Sequence, residues 1–168
     1  MLLVQFDFQL PGELIAQFPP EKRGDSRMLV MDRRSGICEI RSFLDIADYL
    51  HEGDCVVINN TRVINARIYG RKNGDGAKME ILFLRRMDEM KWTCFLKPGK
   101  RIKAGTRIMA DVPDGAGFWL VITGKSEDGV FTVESESAPI SDIQKLAGHV
   151  PLPPYIRRND VVPDHERY

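Results

Sequence analysis

The sequence predicts a mixed α+β/α/β fold. An incomplete α/β domain, residues 1–62 and 149–168, carries an inserted antiparallel β-barrel-like module, residues 63–148. Three observations predict it. The first 62 residues mix strand patterns with one clear amphipathic helix. From about residue 63 the chain reads as five or six short strands parted by glycine turns, the pattern of a small antiparallel barrel or sandwich. Helix signals return only at Ser141–Leu146, and the first part has too few elements to bury both faces of a sheet by itself.

Phe6-Asp7-Phe8 reads as a short strand ended by Leu10-Pro11, and Glu13 to Gln17 as one helical turn stopped by Pro19-Pro20. Arg27 to Asp32 and Ile37 to Ile40 read as the two strands of a hairpin around Arg34-Ser35-Gly36. Ser42 suits a helix cap. Phe43, Ile46, Ala47 and Leu50 then follow at the spacing of one helical face, with Gly53 as the stop. Cys55-Val56-Val57-Ile58 is short, apolar and β-branched, which predicts a strand buried on both faces.

Strands are next predicted over Val63–Lys72 and Ala77–Arg86, with Asn73-Gly74-Asp75-Gly76 as their hairpin turn. Lys91–Leu96, Thr106–Ala110, Phe118–Thr123 and Val130–Glu134 continue the series, with turns at Pro98-Gly99 and Glu127-Asp128-Gly129. Trp92 and Phe95 are expected to pack in the core of this module, with base stacking as the alternative. Ser141–Leu146 predicts a helix stopped by Gly148, and Val150 to Ile156 a stiff extended segment. The tail from Arg158 to Tyr168 is polar without a finished pattern, so the sequence is expected to stop within a domain.

At 43% hydrophobic and 29% charged residues the chain is globular. No apolar run approaches the ~20 residues of a membrane span, and the start has no signal-peptide pattern, so a cytoplasmic protein with no membrane partner is expected. Cys38, Cys55 and Cys94 lie far apart in strand patterns and predict buried, reduced thiols. His51, His149 and His165 have no metal-ligand spacing, and no metal is expected.

Charge is unevenly placed. Residues 59–110 hold 13 basic and 4 acidic side chains, a net of +9, between acidic ends of −4 (6 basic, 10 acidic) and −5 (5 basic, 10 acidic). A basic middle suits a polyanion. Its densest run, Lys97-Pro98-Gly99-Lys100-Arg101-Ile102-Lys103, makes Lys97, Lys100, Arg101 and Lys103 candidate phosphate contacts; a solvated turn is the alternative.

After the predicted strand at 55–58 comes Asn59-Asn60-Thr61-Arg62. Polar clusters at the carboxyl end of a buried strand are where α/β sheets place ligands. The two carboxamides could hold a base edge or a ribose, and the guanidinium a carboxylate or phosphate. On these four residues alone, an Asx-type turn with Arg62 solvated is the better reading.

Several blocks, in order, resemble the S-adenosylmethionine:tRNA ribosyltransferase-isomerases of queuosine biosynthesis. They are Phe6-Asp7-Phe8, Leu10-Pro11 and Glu13-Leu14-Ile15-Ala16-Gln17; then Ser26 to Arg33, Gly53-Asp54 and Asn59-Asn60-Thr61-Arg62-Val63-Ile64; then Lys97 to Arg101 and Leu152-Pro153-Pro154-Tyr155-Ile156-Arg157. Asn65 departs from the family pattern, which has proline there. The family's later blocks, rich in Gly, Thr and His, are absent, so the resemblance is to an N-terminal portion.

The resemblance implies an enzyme that consumes S-adenosylmethionine as a substrate. Its ribosyl part would pass to the aminomethyl group of a 7-deazaguanine at the tRNA wobble position and isomerise to give epoxyqueuosine, with adenine and methionine leaving. The partner is tRNA carrying that modified wobble base, the expected state is a monomer, and this chain alone is expected to be inactive. Under this reading Asn59, Asn60, Thr61, Arg62 and Arg27 become substrate-binding candidates. Arg27, Asp32 and Arg33 have hairpin salt bridges as their alternative, Asp7 is a default surface acid, and no catalytic base is named. A noncatalytic RNA-binding β-barrel with an accessory α/β lobe remains the rival. A nucleotide-binding oxidoreductase finds little support, because neither G-x-G-x-x-G nor the full G-x-x-x-x-G-K-[ST] loop occurs; Gly124-Lys125-Ser126 has Trp119 where that loop needs its first glycine.

Overall fold

In the computed structural model residues 2–74, 76–113, 115 and 117–167 are described, and the chain divides into two compact units. The first comprises Met1–Asn60 with Pro154–Arg158, the second Thr61–Pro153 with Asn159–Tyr168.

The first unit is built on a hairpin of β1 (Arg27–Met31) and β2 (Cys38–Ser42), with Leu29 opposite Ile40. Its turn is held by Asp32, whose Oδ1 accepts from the Arg34 and Ser35 amides and the Ser35 hydroxyl. The Ser35 amide and hydroxyl, then the Arg34 amide, hold the Asp32 carboxyl below its ordinary range. Asp32 thus serves the turn rather than a hairpin salt bridge. After β2, Ser42 caps the next segment: its Oγ accepts from the Leu44 amide at 3.2 Å, while Asp45 Oδ2 accepts from the Ser42 amide at 3.1 Å.

That segment, Phe43–Tyr49, is a 3₁₀ helix, and its cap falls at Leu50 rather than Gly53. The expected apolar face of Phe43, Ile46, Ala47 and Leu50 stays exposed. Two other expectations fail in this unit. Leu3–Phe6 forms a 3₁₀ turn in place of a strand at Phe6–Phe8, and another turn occupies Gly12–Leu14. Cys55–Ile58 forms no strand, with Val57 90% exposed. A buried strand needs neighbours to take its backbone hydrogen bonds, and the first unit's one described sheet is the two-stranded hairpin. Cys38 and Cys55 are accordingly exposed, against the expectation of burial.

The second unit is a closed six-stranded antiparallel barrel in the order β3-β4-β5-β8-β7-β6. Its strands are β3 (Arg67–Lys72), β4 (Lys78–Arg86), β5 (Lys91–Lys97), β6 (Arg107–Ala110), β7 (Phe118–Lys125) and β8 (Phe131–Ser135). Val63 and Ile64 precede the first barrel strand. The β3–β4 turn includes Asn73 at φ 54° and Gly74; Asp75, its expected third residue, lies outside the described residues. Register shifts at Phe83/Arg85 and Ile122/Gly124 bend β4 and β7, as closure of a small barrel requires.

Alternation places Ile68, Met79, Ile81, Phe83, Trp92, Cys94, Leu96, Ile108, Leu120, Ile122, Phe131 and Val133 inside. Each fully buried isoleucine contributes roughly 1.5–3 kcal/mol over its exposed state. Burial pushes the Cys94 thiol up to about 12. Trp92 is in this core as expected, but Phe95 is 46% exposed. The two are three residues apart, and three steps along a strand reverse the face.

Helix α1 (Ile140–Ala147) lays Ile140, Ile143, Gln144 and Ala147 against the barrel and ends at Gly148. A Cβ on Gly148 would stand 2.5 Å from the Asn65 carbonyl oxygen, so this contact needs glycine. The polar tail, expected to be without a finished pattern, forms a second helix, α2 (Val162–Arg167), whose Asp164 Oδ2 accepts from the Val161 amide.

Candidate functional site

The basic run sits on the turn leaving β5. Ile102 is buried in the barrel core and fixes the turn from inside. Its amide donates to the Gly99 carbonyl, while the Lys103 amide donates to Thr106 Oγ1 and the Thr106 amide to the Lys103 carbonyl. With the middle of the turn anchored, Lys97, Lys100, Arg101 and Lys103 are all exposed. None of the four forms an ion pair with a described residue. Cations on the barrel strands do: Arg67 with Glu80 at 2.9 Å, Lys91 with Glu134 at 3.0 Å, and Arg107 with Glu136. The turn therefore presents four exposed cations that form no ion pair among the described residues.

Lys97 also borders a cleft of about 700 Å³ on the outer face of the barrel, lined by Tyr69, Lys78, Glu80, Asp111 and His149 among others. Register makes its floor: Tyr69 on β3 is opposite Glu80 on β4, which is opposite Lys97 on β5. The His149 ring meets Tyr69 edge-on, with centroids 5.1 Å apart. His149 exchanges both backbone hydrogen bonds with Arg67, and its Nδ1 lies 2.9 Å from Asp160 Oδ1. The Asp160 side chain, only 7% exposed, also accepts from the Val150 amide and meets His165 Nε2 at 2.9 Å. Burial opposes ionisation of Asp160, but hydrogen bonds from His149 and the Val150 amide outweigh it and hold the carboxyl below its ordinary range.

In the first unit a second cleft, about 550 Å³, is lined by Glu13, Gln17, Phe18, Tyr155, Arg157 and Arg158 among others. The Gln17 side chain is bonded to the backbone of Tyr155 and Arg157, and the Arg158 guanidinium stacks 4.2 Å over the Phe18 ring.

Asn59, Asn60, Thr61 and Arg62 run through an exposed irregular segment, and the two units divide between Asn60 and Thr61. Arg27 is exposed on β1, opposite Ser42. None of these five lines either cleft described above. The structure therefore gathers the four predicted cations of the turn, and leaves Arg27 on a different element from the 59–62 segment.

Sequence reasoning missed Tyr69, Lys78, His149 and Asp160. Tyr69 did carry a signal: it lies between Arg67 and Arg71 at the spacing of one strand face, opposite the inward Ile68 and Gly70. Asp160 had no such signal, because its partners come from the distant His149–Val150 pair.

Among the described residues no helix is long and apolar enough to cross a membrane, and no cluster of three His, Cys, Asp or Glu side chains is placed to hold a metal. A family profile described as queuosine biosynthesis protein matches residues 3–168. A solved S-adenosylmethionine tRNA ribosyltransferase from Thermotoga maritima is 37% identical over 86% of this chain and 48% of that one, with a TM-score of 0.43. The chain spans about half the length of that relative.

Proposed function

This chain belongs to the queuosine biosynthesis protein family, and from that membership we propose that it is part of a cytoplasmic tRNA ribosyltransferase-isomerase. The reaction would move the ribosyl group of S-adenosylmethionine onto the 7-aminomethyl-7-deazaguanine of tRNA. The single observation that carries this reading is the family match, which runs through nearly every residue of the chain.

The chemistry sets the demands. The carbon beside the sulfonium is acidified by the positive sulfur and needs a base. Departing adenine needs a proton, and the amine must be held near the ribose. Asn59 and Asn60 suit an adenine edge or ribose hydroxyls. Arg62 suits the methionine carboxylate, and Arg27 a second anionic contact. We assign no residue of this chain as the base.

The barrel is assigned the tRNA. Four exposed cations without described counter-ions, anchored through Ile102, release counter-ions when they meet phosphates. The barrel unit would present this surface to the RNA, while the unit of Met1–Asn60 with Pro154–Arg158 would contribute to the substrate site. We assign to this chain alone the holding of tRNA without turnover.

The test is release of adenine and methionine from S-adenosylmethionine by the complete enzyme, with tRNA bearing the aminomethyl base. Stoichiometric adenine and epoxyqueuosine support the reading. Retention of the RNA without adenine release would favour the noncatalytic RNA-binding barrel.

A further inference from the structure

We propose that the cleft over β3, β4 and β5 seats one unpaired nucleotide of the bound RNA, with its base against Tyr69 and its phosphate on Lys78 and Lys97. This rests on the reading that the barrel holds tRNA, and adds to the 97–103 turn a site that distinguishes unpaired from paired RNA.

The strand order makes the cleft polar from side to side. Across the barrel wall the sequence is β6, β3, β4, β5. Asp111 follows the end of β6, Tyr69 is on β3, Lys78 and Glu80 are on β4, and Lys97 ends β5. Glu80 is matched by Arg67 at 2.9 Å. That leaves two lysines toward one side and the Asp111 carboxylate on the other, none with an ion pair to a described residue. An aromatic ring 38% exposed stands between them.

A nucleotide has the same polarity, with an anionic phosphate at one end and base-edge donors at the other. A carboxylate accepts from the exocyclic amines of adenine, cytosine or guanine, and uracil offers none. At about 700 Å³ the cleft falls within the range of small-molecule sites. An exposed aromatic flanked by cations on a sheet face is how proteins stack single-stranded bases; a paired base cannot reach it. Tyr69 is fixed for this role: its carbonyl accepts from the Asp111 amide at 2.9 Å, and the His149 edge braces its ring.

The test compares a labelled RNA hairpin carrying a seven-nucleotide adenine loop with a blunt RNA duplex of equal charge, by fluorescence anisotropy. Wild type should prefer the hairpin. Tyr69→Ala should weaken hairpin binding by roughly fivefold or more, the lower end of a lost stacking contact, and leave duplex binding unchanged. Tyr69→Phe should restore it, because the ring is kept. Phe95→Ala, on the same outer face but outside the cleft, should change neither. Asp111→Asn should narrow the preference for an adenine loop over a uracil loop.

Equal binding of hairpin and duplex by wild type, or equal loss by Tyr69→Ala and Phe95→Ala, would overturn the cleft while leaving the 97–103 turn in place. Binding of neither RNA would overturn the tRNA assignment and the cleft with it. Micromolar saturation by AMP alone, without need of flanking phosphates, would replace the RNA reading by a free-nucleotide site.

Discussion

Gln17 Oε1 accepts a 2.7 Å hydrogen bond from the Arg157 amide, across 140 residues of sequence. The same side chain donates through Nε2 to the Tyr155 carbonyl, and the Arg158 guanidinium returns a bond to the Gln17 carbonyl. The E-L-I-A-Q and P-P-Y-I-R blocks, read separately in the sequence, are thus one structural feature. Gln17→Ala should remove about 1 kcal/mol per lost bond and speed amide exchange at Arg157. Unchanged protection there would mean that Phe18 and Arg158 hold the segment without Gln17.

Thiol reactivity should separate the cysteines. Cys38 and Cys55 are exposed, while Cys94 is buried with its thiol pushed up to about 12. A disulfide reagent at neutral pH should titrate two thiols quickly and the third only on unfolding. Three fast thiols would mean that the barrel opens on the timescale of the reaction.

Acid should act through Asp160. Its folded carboxyl lies below the ordinary 3.8, so its contribution is complete above that value and is lost as pH falls through the lower folded one. Asp160→Asn should lower Tm near neutrality and reduce the slope of Tm against pH below about 4. A variant with the acid sensitivity of wild type would remove Asp160 from the account.

In the complete enzyme, Asn60→Ala and Arg62→Ala should each raise KM for S-adenosylmethionine, Arg62→Ala by roughly 1.5–3 kcal/mol as a lost charge-assisted bond. Both side chains are exposed, so the fold should survive. Wild-type kinetics for both would assign the 59–62 segment to the chain path alone.

Barrel strands were legible because period-2 alternation and turn residues agree there: Ile68, Ile81, Cys94, Ile122 and Val133 all fall inside. The same rule, applied strictly, places Phe95 outside once Trp92, Cys94 and Leu96 are inside. Cys55–Ile58 misled because composition reports what a strand would bury, not whether a neighbour exists to pair with it. The Phe43–Tyr49 segment showed its Ser42 cap but not its 3₁₀ geometry, which local periodicity over so few residues cannot resolve. The four cations of the 97–103 turn were visible as a run. Their separation from the neutralised Arg67, Lys91 and Arg107 required knowing the cross-strand partners.

The central claim is that the barrel holds tRNA through the 97–103 turn. It is tested most directly by titrating labelled tRNA at several salt concentrations, wild type against the combined Lys100→Gln, Arg101→Gln and Lys103→Gln variant. Binding should weaken with salt by a log–log slope of roughly −0.7 to −0.9 per phosphate neutralised. The triple variant should flatten that slope by about two to three such contacts, with little change in Tm because exposed charges contribute little stability. Indistinguishable slopes for the two proteins would contradict the account.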